Sequence, residues 1–438
     1  MKENSTETSV NVVFGKDEKK ALSPYEKLVY EAQNDARCKE EVKAGRRIGF
    51  YRIVKNIGLG NFSKVKLGVH LLAKEKVAIK ILDKTKLDKT TQRLLSREIT
   101  STEKLHHPNI IRIYEVIETD REIYIVTEYA ADGDLYTRIT DHGKMPENEA
   151  KVVFAQITAA VDHMHSKGIV HRDIKCENVF FGKQRLIKLG DLGFSTYTEK
   201  HQMLTTFCGS PPYAAPELYR DESYEGIYVD IWALGVTLYF MVTGLMPFRG
   251  ENLTKLKNAV IDGNYSIPAY VSKPCKELIN GLLSYDKLER WSIEQIRSCT
   301  WLTKQYFPKE YDPYTLNLSY DSTPSRISFE YEAQTRLAEL GITPDVLKSR
   351  KDSSSSEKTL STHDNVNGTY RIILHRLQKQ STPLERDDLY EQVLTDESTT
   401  PRARSMSVNI ENRARKAQQN MNNSFHSHPQ RAKVCTIL

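Results

Sequence analysis

The sequence has no C-x-x-C pair, and its six cysteines are scattered along 438 residues without metal-ligand spacing. Neither a zinc site nor a disulfide framework is expected, and a reducing, cytoplasmic setting is. No apolar run follows the charges at the N-terminus, so no secretory signal is expected. The opening Met-Lys, where Met-Gly would be needed, speaks against N-myristoylation. Hydrophobic residues make up only 39% of the chain, low for a wholly packed globule, which points to disordered ends. Long uncharged runs are scarce too. Ile231 to Phe248 spans eighteen residues without a charge, the lower edge of a bilayer crossing. Gly244 and Pro247 break it near its end and Thr237 and Thr243 lie within it, so a buried core helix is the expected reading. The net charge of +6 has no aromatic-basic platform beside it, and no specific nucleic-acid partner is expected. From Ser398 onward seven Lys and Arg face Glu411 alone, so the excess sits in a tail.

What is present has a clear order. Residues 1–47 are polar and charged with little periodicity and read as a disordered extension. From Ile48 short alternating runs begin. Tyr51–Ile57, Lys64–Val69 and Val77–Leu82 read as strands, with two more around Ile110–Ile117 and Ile123–Glu128. A helical stretch from about Gln92 to Leu105 lies among them. Beyond Gly133 helices dominate, as in Ala150–His165, where Val153, Ile157, Ala160, Val161 and Met164 recur at three-to-four spacing. A β-rich front and an α-rich back therefore occupy residues 48–302, joined at Glu128-Tyr129-Ala130. Residues 303–330 read as a linker. Leu337–Arg350 and Val366–Gln378 give helical patterns within 331–380, and 381–438 is a Ser-, Asn- and Arg-rich tail.

Three short strings carry chemistry. His171-Arg172-Asp173-Ile174-Lys175-Cys176-Glu177-Asn178 places a carboxylate, a cation and an amide oxygen on one loop. Phosphoryl transfer from ATP needs those groups: a carboxylate to orient a hydroxyl, a cation on the moving phosphate, an oxygen ligand for Mg²⁺. Gly58-Leu59-Gly60-Asn61-Phe62-Ser63-Lys64-Val65 lies between two strands, where glycines let backbone N–H groups approach phosphate oxygens. Alone it would read as an ordinary glycine hairpin sooner than as a phosphate loop. A strand rather than a helix follows it, which excludes a dinucleotide-binding turn, and no Walker A signature is present. Asp191-Leu192-Gly193, thirteen residues after Asn178, follows a further strand.

In this order the pieces resemble a eukaryotic protein kinase, over about residues 50–302. The resemblance implies an α+β, two-lobed kinase fold, with a small β-rich N-lobe and a larger α-helical C-lobe. It implies ATP and Mg²⁺ as cofactors. Asp173 would be the catalytic carboxylate and Lys175 the cation on the transferred group, with Asn178 and Asp191 on the metal. Ile57, Gly58, Gly60, Val65, Ala78, Lys80, Glu98, Glu128, Ala130 and Asp134 would form the ATP site, Lys80 pairing with Glu98. Asp230 would hold the catalytic-loop backbone, and Arg290 would be the buried partner of Glu217. Ser63 and Leu192 depart from the family's glycine and phenylalanine.

Lys175 fits the serine/threonine branch. The run Thr206-Phe207-Cys208-Gly209-Ser210-Pro211, closed by Ala215-Pro216-Glu217, resembles kinases related to AMP-activated protein kinase, with NIM1-type kinases the nearest guess. That resemblance implies a regulatory phosphosite at Thr206, with Thr205 a neighbouring candidate, and an upstream activating kinase for which Leu204 fits. Asp134 and Glu177 would face protein substrates carrying basic residues before the target, and Phe194 suggests serine. The segments from Ala338 and Val366 resemble parts of a ubiquitin-associated-like module, with two unconnected amphipathic helices the plainer alternative. Cys435-Thr436-Ile437-Leu438 has the form of a prenylation signal, which with the basic tail would give a peripheral membrane contact; a free cysteine is the alternative. The rival to an enzyme is a pseudokinase scaffold, supported only by Ser63 and Leu192.

Overall fold

The computed structural model describes residues 22–59, 63–88, 95, 99–182, 186–311, 329–343, 345–346 and 364–381. Gly60, Glu98 and Cys435 lie outside the described residues.

The alternating runs form one antiparallel sheet: β1 (Arg47–Ile48), β2 (Tyr51–Leu59), β3 (Ser63–His70), β4 (Lys76–Asp83), β5 (Ile113–Glu118) and β6 (Glu122–Glu128), in the order β1-β2-β3-β4-β6-β5. Successive side chains of a strand point to opposite faces, and residues directly opposite one another share a face. In β4 the buried Val77, Ile79 and Ile81 therefore face one way, and Ala78 and Lys80 the other. The pairings Gly58↔Val65, Val65↔Lys80 and Ala78↔Thr127 extend that second face across four strands.

The larger lobe is built around helix Gly226–Thr243, which holds most of the uncharged run and is almost wholly buried. It is apolar on all sides because helix Glu147–Ser166, helix Lys273–Leu282 and the loops bearing the catalytic motifs surround it. Gly244 stops it at φ 70, a left-handed cap that glycine adopts without steric cost.

The rear face of the sheet is covered by segments that flank residues 48–302. Helices Phe329–Glu339 and Asn365–Ser381 pack on each other and on Tyr51, Val77, Ile79, Tyr114 and Val126. The first precedes most of the Leu337–Arg350 pattern: Gly341 at φ 89 terminates it, and Asp345 and Val346 are helical again beyond the break. Expected disorder over residues 1–47 does not hold for 24–43, which form helices Pro24–Asn34 and Ala36–Lys43. Ser23 and Glu26 make a capping box and Pro24 occupies the first turn. Leu28 is buried in the rear cluster with Tyr25 and Val29 packed against it, and the Tyr25 N–H donates to Leu340 O at 2.9 Å. A weakly amphipathic segment that could not bury a core alone is thus ordered by adding to another. The presumed linker is also packed at its start: His107 Nε2 lies 3.0 Å from Pro308 O, and Tyr311 is buried.

The seam between sheet and C-terminal helix carries a titrating group. Glu115 accepts from Tyr51 OH at 2.6 Å and lies against Gly368, where a Cβ would come 2.4 Å from Glu115 Oε2. Burial lifts the Glu115 pKa from 4.5 to about 7, against the lowering effect of the Tyr51 hydrogen bond. A raised carboxyl pKa favours the folded state below the unfolded value and loses that advantage as pH rises through the folded one. Relative to Glu115→Gln, the wild type should therefore lose stability between about pH 4.5 and 7 and level off above. Urea midpoints of both proteins across that range test it; parallel curves would remove Glu115 as the cause.

Candidate active site

The loop Arg172–Asn178 hangs from helix Gly226–Thr243 by a single buried carboxylate. Asp230 accepts the His171 N–H at 2.9 Å, the Arg172 N–H at 2.8 Å and His165 Nε2 at 2.8 Å. Burial alone would raise its pKa, but the hydrogen bond and charge of His165 and those of His171 outweigh it and hold the carboxyl below its usual range. Arg172 takes φ 66, a left-handed conformation that is costly for a side chain with a Cβ. Its Nε donates to Phe194 O at 2.6 Å, which ties the catalytic loop to the segment after Asp191.

Asp173 is 3% exposed and surrounded by donors. Lys175 Nζ reaches Oδ2 at 2.6 Å, the Ser210 N–H reaches Oδ1 at 2.9 Å, and Asn178 Nδ2 donates to the Asp173 carbonyl at 2.9 Å. Burial would lower the Lys175 pKa, but the adjacent Asp173 carboxylate overrides it and keeps the ammonium charged. Lys175 Nζ also donates to Ser210 Oγ at 2.9 Å. Sequence motifs do not point to Ser210, since its partners lie more than thirty positions away.

Whether these residues suit a divalent cation is decided by Asp191. It takes φ 56, and its Oδ1 is buried without a hydrogen-bond partner. A buried carboxylate oxygen left without a donor is costly unless a cation serves it. Asn178 turns its amide nitrogen to Asp173, which leaves its side-chain oxygen outside that contact, and its backbone carbonyl accepts from the Gly190 N–H at 2.9 Å, next to Asp191. A hard cation with oxygen ligands fits this pair. Leu192 is buried in the larger lobe's core, so leucine fills the place of the family's phenylalanine.

The nucleotide-site candidates gather on the front face of the sheet, with Gly58, Val65, Ala78 and Lys80 on adjacent strands. Ile57 sits at the edge of that sheet, 38% exposed. Thr127, opposite Ala78, shares the face and is absent from the motif-based set, although strict alternation back from the hinge would have found it. Asp134 caps helix Leu135–His142, accepting from the Thr137 N–H and hydroxyl, both at 2.8 Å. Glu177 is exposed and accepts from Tyr213 OH at 3.3 Å. Glu217 and Arg290 form a buried two-pronged pair at 2.6 and 2.7 Å. Thr206 is exposed, and its carbonyl accepts from Tyr224 OH at 2.7 Å; Arg172 Nη1 lies 3.4 Å from the same hydroxyl.

The profile of the protein kinase domain family matches residues 51–302, more than half of the chain. The chain belongs to the protein kinase family. The match starts with β2 and ends with the turn at Trp301 and Leu302, so it covers both lobes and every catalytic motif named above. Among curated kinases, the chain is 45% identical over 266 residues to a serine/threonine-protein kinase SIK3 homolog of Danio rerio, covering 61% of this chain and 22% of that one. It is 39% identical over 333 residues to serine/threonine-protein kinase SIK2 of Gallus gallus, covering 76% of this chain and 41% of that one. The chain thus spans well under half the length of these relatives. Both are AMP-activated-protein-kinase-related, in agreement with the branch indicated by the activation segment. Protein kinases use ATP and Mg²⁺ and act on protein substrates under upstream control.

Proposed function

We propose that this kinase transfers the γ-phosphoryl group of ATP to serine or threonine hydroxyls of proteins. The observation that carries the reading is the buried Asp173 carboxylate, held by Lys175, Ser210 and Asn178 beside the unpartnered Asp191 oxygen. Bound Mg·ATP supplies the transferable phosphoryl group and the cation that neutralises its oxygens. Asp173 orients the incoming hydroxyl and takes its proton at a carboxylate oxygen. Lys175, at hydrogen-bond distance from Asp173, is placed to meet the charge of the moving group. Asp191 and Asn178 hold the metal side, and Lys80 with the front face of the sheet holds the nucleotide. None of the residues whose loss makes a pseudokinase is missing from the sequence, so the scaffold reading has little behind it.

Regulation at Thr206 is part of the same proposal. Tyr224 already bridges the Thr206 backbone to Arg172, so a phosphate on the exposed Thr206 side chain needs only a short approach to a buried cation. Exposed Glu177 supports a preference for basic residues before the target. The test is phosphate transfer from Mg·ATP to basic serine peptides, before and after treatment with an activating kinase, for wild type and Thr206→Ala. Activation of the wild type alone is the expected result. Equal activation of both would remove Thr206 from the account, and no turnover by phosphorylated wild type would leave a scaffold.

A further inference from the structure

A charge cluster lies behind the hinge, and of its members only Glu128 belongs to the nucleotide-site candidates above. Glu128 ends β6 and opens the hinge, yet its carboxylate turns inward and is 6% exposed. Its Oε1 lies 3.0 Å from Lys188 Nζ and 3.6 Å from Lys379 Nζ, and its Oε2 lies 3.9 Å from His375 Nε2. Lys188 belongs to strand Ile187–Leu189, which leads directly into Asp191. Lys379 and His375 belong to helix Asn365–Ser381. Burial, with Lys379, Lys188 and Arg112 nearby, holds the His375 pKa well below its ordinary value, so the counter-charges of Glu128 are the two lysines. One carboxylate therefore joins the hinge, the strand leading into Asp191 and the C-terminal helix.

Two arginines also join this helix to the small lobe. Arg371 lies 3.6 Å from Glu103, and its Nη1 donates to Tyr114 O at 3.2 Å. Arg376 pairs with Glu75 at 2.8 Å in the turn between β3 and β4, a carboxylate that Lys379 Nζ also approaches to 3.8 Å, but it makes no ion pair with Glu128. A buried ion pair contributes little net stability, because desolvation offsets its attraction. What it does supply is position: moving the hinge away from Lys188 would leave charges buried without partners.

We propose that Glu128 is a positioning residue of the nucleotide site, and that Lys188 and Lys379 set the hinge against the metal-binding turn. The C-terminal helix thereby acts on nucleotide affinity through Lys379. This rests on the kinase reading of the hinge.

The test compares full-length wild type, Lys379→Met, Lys379→Arg, Arg376→Met and Glu128→Gln. For each, the Kd of Mg·ATP is measured by direct binding, together with KM for ATP, kcat and Tm. Lys379→Met is expected to raise Kd and KM for ATP about three- to tenfold, the scale of a partly screened charge contact, with kcat within about twofold of wild type. Lys379→Arg should restore both. Arg376→Met loosens the same helix without removing a charge from Glu128, and should lower Tm while leaving ATP affinity alone. In a Glu128→Gln background, Lys379→Met should have little further effect on affinity. If Glu128→Gln does not fold, the Lys379 and Arg376 variants still decide, since Lys379 is 19% exposed at the rim of the cluster.

The proposal is overturned if Lys379→Met changes Tm but not ATP affinity, or if Arg376→Met weakens ATP equally. Wild type that binds Mg·ATP without turnover would sink the catalytic reading instead, and the Kd comparison would still judge the hinge. Wild type that binds no ATP would sink both.

Discussion

Replacing Asp173 by asparagine is expected to lower kcat about 10²–10⁴-fold, the range for removing a general base, while ATP affinity stays close to wild type. The carboxylate accepts from Lys175 Nζ at 2.6 Å, the Ser210 N–H at 2.9 Å and Asn178 Nδ2 at 3.3 Å. An asparagine at this position keeps one acceptor and turns an NH₂ group toward a donor, either Lys175 or the Ser210 amide. It therefore fails twice: it cannot take the hydroxyl proton, and it opposes a donor with a donor. These partners all belong to the larger lobe, so the front face of the sheet, and with it the nucleotide site, is expected to survive. Steady-state kinetics of Asp173→Asn beside direct ATP binding checks both halves. Turnover within about tenfold of wild type would mean that the proton leaves by another route.

Stability should depend most on the pair Glu217–Arg290. Both side chains are nearly inaccessible, at 3% and 0%, and both prongs of the guanidinium are engaged. Arg290 Nε also donates to Ser284 O at 2.9 Å, and its guanidinium lies 4.9 Å from the Trp232 ring centroid. Arg290→Met removes the cation and leaves a buried carboxylate among carbonyl oxygens. The expected cost is about 3–5 kcal/mol, a large part of the roughly 5–15 kcal/mol by which a domain is stable. The double variant Glu217→Leu with Arg290→Met should recover much of that loss, because no charge is then buried alone. Chemical denaturation of the three variants measures both effects. A single-variant cost below about 1 kcal/mol would show that water reaches the site and that the pair does not anchor the end of the activation segment.

The catalytic constellation is legible in the sequence because its parts are short and contiguous. Asp173, Lys175 and Asn178 share one loop of six residues, and Asp191 follows after one short hairpin. Local chain geometry alone brings such groups together, so residue type and spacing carry the signal. Alternation in β4 likewise separates Lys80 and Ala78 from the apolar Val77 and Ile79, which the fold buries on the opposite face. The uncharged run at Ile231 is readable as a core helix because Gly244 and Pro247 interrupt it.

Ser210, Tyr224 and the inner side of Glu128 are not legible in that way. Ser210 meets Asp173 only after the activation segment folds back, and Tyr224 reaches Thr206 across the same fold. Glu128 reads as a hinge residue whose backbone matters; its carboxylate acquires partners only when residues 188 and 379 arrive from elsewhere. The N-terminal helices escape the sequence pattern for a related reason. The apolar residues of Pro24–Asn34, Tyr25, Leu28 and Val29, are too few for a core of their own and pack with Leu337, Ile342 and the rear of the sheet.

The sequence by itself determined the family, the order of the lobes and the identity of the chemical groups, since these rest on periodicity and on motifs within a few residues. Tertiary structure decided which carboxylates are paired, which oxygen is left for a cation, and that segments on both sides of residues 48–302 contribute helices to the back of the small lobe. Those outcomes depend on contacts between residues tens to hundreds of positions apart, where burial and Coulomb attraction act and local spacing carries no information.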